Sequence, residues 1–295
     1  MRLPVRFLAL ATLLTLFVGN ASSGQTLKVG SKNFTEQFIV AELYAGALEA
    51  SGISVERKLN LGPTAAAHEA LVAGAIDLYP EYTGTALGAV MKVATDAFSR
   101  KEVFHQVKDF YERHYKLVWL DPSAVDNGYV LVVRPETAKA SGLKTLSDLA
   151  KVSKSLKLGA GPEFGDRRDG LKGLADVYGI AFAQYRRFAE LNGRYAALAN
   201  KEIDVANGFA TDWQIATAGL VALIDDKGLF PPYVLAPVVR MDTVAGNKTA
   251  VAALNRVSSL LDNETMRELN RQVEQDKKDP RQVAEALLRK KGLMR

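Results

Sequence analysis

Short apolar runs alternate with helix-patterned stretches along almost the whole chain, and this alternation most narrows what it can fold into. Residues 27–30 read as a buried strand. Phe34, Phe38, Ala41, Ala45 and Leu48 then recur at steps of three and four, as one face of a helix ending near Gly52, with Asn33 and Glu36 spaced as its cap. Residues 55–59 are strand-like, 65–73 helical, 76–79 strand-like again, and 100–115 form a long helix with Val103, Val107, Phe110 and His114 on one side. A second block begins with a strand at 129–133 that runs into Arg134-Pro135. It continues with strands at 157–159 and 203–206, helices near 171–178 and 195–199, and a strand at 233–239 before a helical remainder with a polar insertion at 276–280. Strands alternating with helices pack as mainly parallel sheets covered by helices, so the fold class is α/β. With the last helices returning to the first block, two strand connections join the halves.

An internal echo supports two lobes. Gly74-Ala75-Ile76-Asp77-Leu78 leads to Tyr82, and Lys201-Glu202-Ile203-Asp204-Val205 leads to Phe209, at a constant offset of 127 residues. Each block then presents an aromatic ring near an equivalent strand end, where open α/β sheets hold ligands. The same pattern also occurs in ordinary helix-to-strand connections, and that reading stands beside the first.

Residues 1–23 have the three parts of a secretory leader. Arg2 and Arg6 precede an apolar run over 7–18, and small residues at Ala21 and Ser23 suit cleavage before Gly24. The apolar run falls short of the ~20 residues a membrane anchor needs. Discounting the two arginines lowers the formal charge from +5 to +3, and the absence of a concentrated basic face argues against nucleic acid as a partner. With no cysteine, disulfides, thiolate metal sites and a lipid-anchoring thiol are excluded, so the mature protein is expected to be free in a periplasm.

Catalytic patterns are missing. The chain has no Gly-x-Ser-x-Gly, Walker A or His-Glu-x-x-His sequence. His68, His105 and His114 lack metal-ligand spacing, and the glycines at 159, 161 and 165 match a dinucleotide loop only superficially. No catalytic residue, metal or cofactor is therefore expected. The aromatic residues suggest binding instead. Tyr79-Pro80-Glu81-Tyr82-Thr83-Gly84-Thr85 follows a strand directly, Asp126-Asn127-Gly128-Tyr129 opens the second block, and Phe230-Pro231-Pro232-Tyr233 leaves it. Aromatic faces converging on a cleft attract a quaternary ammonium at about 0.5–2 kcal/mol per favourable contact.

These segments, together with Val29-Gly30-Ser31-Lys32-Asn33-Phe34-Thr35-Glu36-Gln37 and Asn60-Leu61-Gly62-Pro63-Thr64, resemble the substrate-binding proteins of osmoprotectant ABC importers of the OpuC and OsmF type. The resemblance runs from about Leu27 to the C-terminus. It implies a type II periplasmic-binding-protein fold with two lobes and two crossovers, here 24–130 plus 235–295 and 131–234. It also implies a receptor for glycine betaine, carnitine or a related betaine, working as a monomer with a membrane permease and its ATPase. Residue by residue, the aromatic cage falls on Tyr82, Tyr129, Phe209 and Tyr233, and the carboxylate contacts on Lys32 and Thr85.

Phe209 stands where relatives often have tyrosine, and Lys32 where some have glutamine. A Lys32 cation in the cleft is expected to favour a zwitterion over choline. Alternatives on the same fold are a receptor for choline, ergothioneine or an amino acid, and a periplasmic enzyme. Hinge motion is expected near 130–133 and 234–237, and Arg167, Arg168 and Asp212 are further residues for the second lobe.

Overall fold

The computed structural model describes residues 26–93, 99–161, 164–189 and 191–295, so the expected leader lies outside the described residues. Among the described residues ten strands form two five-stranded sheets. The first contains β1 (Leu27–Gly30), β2 (Val55–Lys58), β3 (Leu78–Tyr82), β4 (Leu117–Trp119) and β10 (Leu235–Arg240); the second contains β5 (Tyr129–Val133), β6 (Lys157–Ala160), β7 (Gln184–Arg187), β8 (Val205–Phe209) and β9 (Val221–Leu223). Their orders are β2-β1-β3-β10-β4 and β7-β6-β8-β5-β9. In each sheet four strands run the same way and one, β10 or β5, runs antiparallel to both of its neighbours. β5, entered from the first half, and β10, entered from the second, hold the same place in their sheets, so each crossing supplies the other lobe's antiparallel strand. The two-lobed α/β architecture is as expected.

The echo has a physical basis. Asp77 accepts a hydrogen bond from the Lys28 amide at 2.7 Å, and Asp204 accepts one from the Lys157 amide at 3.0 Å. Each aspartate amide in turn donates to the carbonyl of that same lysine, at 2.8 and 2.9 Å. One aspartate per lobe thus fixes the offset between its two central parallel strands. Strands β3 and β8 start two residues later than the sequence pattern suggests, because Ile76 and Ile203 anchor the approach to them. A Cβ on Gly30 or Gly159 would lie 2.5 or 2.4 Å from the corresponding isoleucine Cδ1, so the isoleucine packs directly against the glycine backbone in both lobes. The outer strands Val55-Glu56-Arg57-Lys58 and Gln184-Tyr185-Arg186-Arg187 carry charges that protect exposed sheet edges.

The helix Thr35–Ala50 is buried almost all round, with Ile39, Val40, Leu43, Tyr44 and Leu48 inaccessible, because the helices Lys248–Ser258, Asn263–Glu274 and Pro280–Lys290 close over it. Such a helix shows no single apolar face. In the helix Arg100–Tyr115 the inward side turns out to be Val103, Val107 and Tyr111, while Phe110 lies against His114 at 4.3 Å outside it. Most of the expected hinge residues lie in strand ladders. Val130–Val133 pairs with β8, and most of it with β9 as well, while residues 235–237 sit in β10. Laddered backbone cannot absorb large dihedral changes. The crossings instead lie beside the isolated Asp126–Val234 bridge. Among the described residues no helix is long and apolar enough to cross a membrane.

Candidate functional site

The ends of β3 and β8 and both crossing segments open onto a cleft of about 540 Å3, lined by Tyr82, Tyr129, Phe209, Tyr233, Lys32 and Thr85. The fold brings these six residues together from positions up to two hundred residues apart. Tyr82 and Phe209 are the last residues of their strands, matching the echo in the sequence. Register pairs Tyr129 with Phe209, and their rings stack at 5.0 Å and 28°. Tyr233 meets Tyr129 edge-on at 5.8 Å and 69°, and Phe164 does so from another side at 5.3 Å and 84°. Tyr82 stacks on Phe34 at 6.4 Å and 20°. Phe34 and Phe164 line the cleft too; the spacing of Phe34 reads only as helix packing, and nothing local marks Phe164 among twelve phenylalanines.

Local chemistry sets Tyr233 in place. Pro231-Pro232 brings the chain out of the second lobe with no amide to satisfy, and Tyr233 then donates its amide to Asp126 at 2.8 Å. The Thr83 hydroxyl donates to the Pro232 carbonyl and accepts from the Val234 amide. Gly84 serves close packing rather than flexibility: a Cβ there would sit 2.9 Å from the Tyr233 ring.

Three resident cations lie against these rings, one of them Arg194, whose guanidinium is 5.4 Å from the Phe209 ring centre. The Lys32 ammonium is 4.9 Å from the Tyr82 ring centre and 5.8 Å from that of Phe34, and it donates to Glu81 Oε1 at 2.5 Å with both side chains buried. Glu81 also accepts from the Tyr79 hydroxyl and the Tyr82 amide. Lys32 therefore reaches the cleft, but as one half of an ion pair, which corrects the expectation of an unneutralised charge facing the ligand. Across the cleft the Arg167 guanidinium lies 5.4 Å from Tyr129 and 5.8 Å from Tyr233. It forms a two-pronged pair with Asp169, at 2.8 Å for both bonds, and donates to the Tyr233 hydroxyl, which itself donates to Asp169. Burial and the adjoining Asp169 push the Tyr233 phenol well above its ordinary range. Arg168 is not among the residues lining the cleft; Asp212 is, paired with the fully buried Arg194.

Glu36 does not cap its helix. The N-cap is Phe34, without a side-chain bond. The Glu36 carboxylate turns inward, where Oε1 accepts from Tyr82 Oη at 2.6 Å and Asn127 Nδ2 at 2.9 Å, and Oε2 from Thr211 Oγ1 at 2.6 Å and Asn270 Nδ2 at 2.8 Å. The donors come from the first lobe, a crossing, the second lobe and the C-terminal helices. Burial raises its pKa above the usual carboxylate range, partly offset by the bonds from Thr211, Tyr82 and Asn270. Glu36 and Glu81 both sit in segments conspicuous in the sequence, yet nothing there reveals that they meet Tyr82 from opposite ends. Among the described residues no group of three or more potential metal ligands occurs.

Residues 25–290 match the model of the substrate binding domain of ABC-type glycine betaine transport systems. The ergothioneine transport permease/ergothioneine binding protein EgtU of Helicobacter pylori (strain G27) is 35% identical over 97% of this chain, which spans only about half (51%) of that relative's length. The glycine betaine-binding protein YehZ of Escherichia coli (strain K12) is 31% identical, with 90% of both chains covered. A crystal structure of a glycine betaine/carnitine/choline ABC transporter superposes with a TM-score of 0.81 at 29% identity, covering 90% of this chain and 99% of the other. The chain thus belongs to the family of substrate-binding domains of ABC-type glycine betaine transport systems.

Proposed function

We propose that the protein is a periplasmic receptor that holds a quaternary-ammonium zwitterion, glycine betaine, carnitine or a related betaine, and delivers it unchanged to a membrane permease driven by an ATPase. Tyr82, Tyr129, Phe209 and Tyr233 cage the onium group, while Lys32 and Thr85, aided by Arg167, face the ligand carboxylate. In this reading 24–130 with 235–295 and 131–234 are the closing lobes of a monomer, and the crossings beside the Asp126–Val234 bridge bend. A cleaved leader over 1–23 and no lipid anchor complete it. The observation that carries the reading is the convergence of four aromatic residues from four separate segments on one cleft between two sheets.

Calorimetric titration with glycine betaine, carnitine, choline and ergothioneine tests it, and no binding of any quaternary ammonium overturns it. Because Lys32 is neutralised by Glu81, choline is not rejected by a bare positive charge. A second reading, a larger betaine such as ergothioneine, is favoured by the similarity to EgtU.

A further inference from the structure

Ion pairs around the cleft cancel one another except at one buried point. Lys32 is matched by Glu81, Arg167 by Asp169, and Arg194 by Asp212. Glu274 lies at the rim, partly exposed, and accepts from the Trp213 indole. Glu36 is 3% exposed, lines the cleft, and has four neutral donors and no Lys or Arg within ion-pair distance among the described residues. A buried carboxylate without a countercharge is strongly disfavoured unless something else supplies the positive charge.

We propose that Glu36 is a specificity-determining residue whose negative charge is the site's counterion for the ligand's cationic head, acting through the Tyr82 ring. This rests on the reading of the cleft as a quaternary-ammonium site and adds the group that makes charge, rather than shape alone, decisive. The Tyr82 hydroxyl donates to Glu36 at 2.6 Å, and a phenol donating to an anion gains electron density on its ring face. That strengthens attraction for a cation and does little for an uncharged group of the same shape. Asn127, Thr211 and Asn270 take up the other lone pairs and hold the carboxylate where its field reaches the cleft.

The test compares each onium with its neutral carbon isostere: choline with 3,3-dimethylbutan-1-ol, and glycine betaine with 3,3-dimethylbutanoate. In Glu36→Gln the preference for onium over isostere is expected to fall by about tenfold or more, with affinity for the isostere changing less than about threefold. Glu36→Asp retains most of the preference. Tyr82→Phe, which keeps the ring but uncouples it from the carboxylate, lowers the preference by about threefold. It decides the matter alone if Glu36→Gln does not fold. Equal losses for onium and isostere, or an unchanged preference, overturn the role of Glu36 while leaving the receptor reading intact. A wild type that binds no onium overturns the receptor reading itself.

Discussion

Tyr129 and Phe209 face each other across β5 and β8, stacked at 5.0 Å, and they do so because the crossing strand and the echoed strand pair in register at that residue. This pair of rings is thus set by backbone hydrogen bonds first and side chains second. Removing either ring leaves the ladder and opens one wall. Phe209→Ala and Tyr129→Ala are expected to weaken binding of a quaternary ammonium by roughly ten- to a hundredfold with a modest loss of stability. Titration calorimetry beside thermal denaturation separates the two effects.

The Lys32–Glu81 pair is buried on both sides. Deleting one partner strands the other charge, so Glu81→Gln is expected to destabilise the fold by about 3–5 kcal/mol, whereas Lys32→Met combined with Glu81→Leu costs far less. Chemical denaturation of the two variants beside the wild type checks this. Equal losses in single and double variants would show that the pairing matters little.

Asp77 and Asp204 have the same task in different lobes. Asp77→Ala and Asp204→Ala should each cost about 1.5–3 kcal/mol, the range for a hydrogen bond to a charged group. Hydrogen exchange then rises in the affected lobe, in β1 and β3 for the first and in β6 and β8 for the second. Loss of protection in both lobes from a single substitution would contradict independent register locks.

Burial raises the pKa of Glu36 in the unliganded protein, and the nearby Asp212 adds to the rise. The sign for folding follows: this carboxylate costs stability once pH exceeds its ordinary value of 4.5, and the cost recedes as pH falls through the raised value. For binding, an onium near Glu36 favours the charged form. Affinity should therefore fall as pH drops through the raised value, and binding near it should release a proton. Calorimetry in buffers of different ionisation heat reads that proton directly, and its absence at every pH from neutral down to 4.5 would refute the linkage.

His68 lies against Tyr111 and Tyr115 at 5.3 and 4.7 Å with neither ring nitrogen bonded to protein. Burial lowers its pKa below the ordinary 6.5, so its neutral form contributes stability that is lost as pH falls below 6.5 toward the depressed value. His68→Phe keeps the aromatic packing, removes the orphaned nitrogens, and should flatten that part of the stability–pH curve without lowering stability at neutral pH. Denaturation midpoints between pH 7 and pH 5 test both statements.

The alternation of strands and helices, the two blocks and the aromatic segments at strand ends were legible in the sequence because they are local: periodicity and turn chemistry involve residues within a few positions of one another. The repeated Ile-Asp step was legible for the same reason, and it placed Tyr82 and Phe209 at equivalent ends. The resemblance to a known family carried the roles proposed for the six cleft residues, which no local pattern encodes. Only the tertiary structure decided the charges. Glu36, spaced like a helix cap, turns away from its own helix to four donors from both lobes and a crossing. Lys32 meets Glu81 forty-nine positions away. Arg167 meets the rings of Tyr129 and Tyr233. Whether a buried charge is paired depends on which distant segments fold over it, and desolvation makes that pairing decisive. Spacing along a chain carries no record of it.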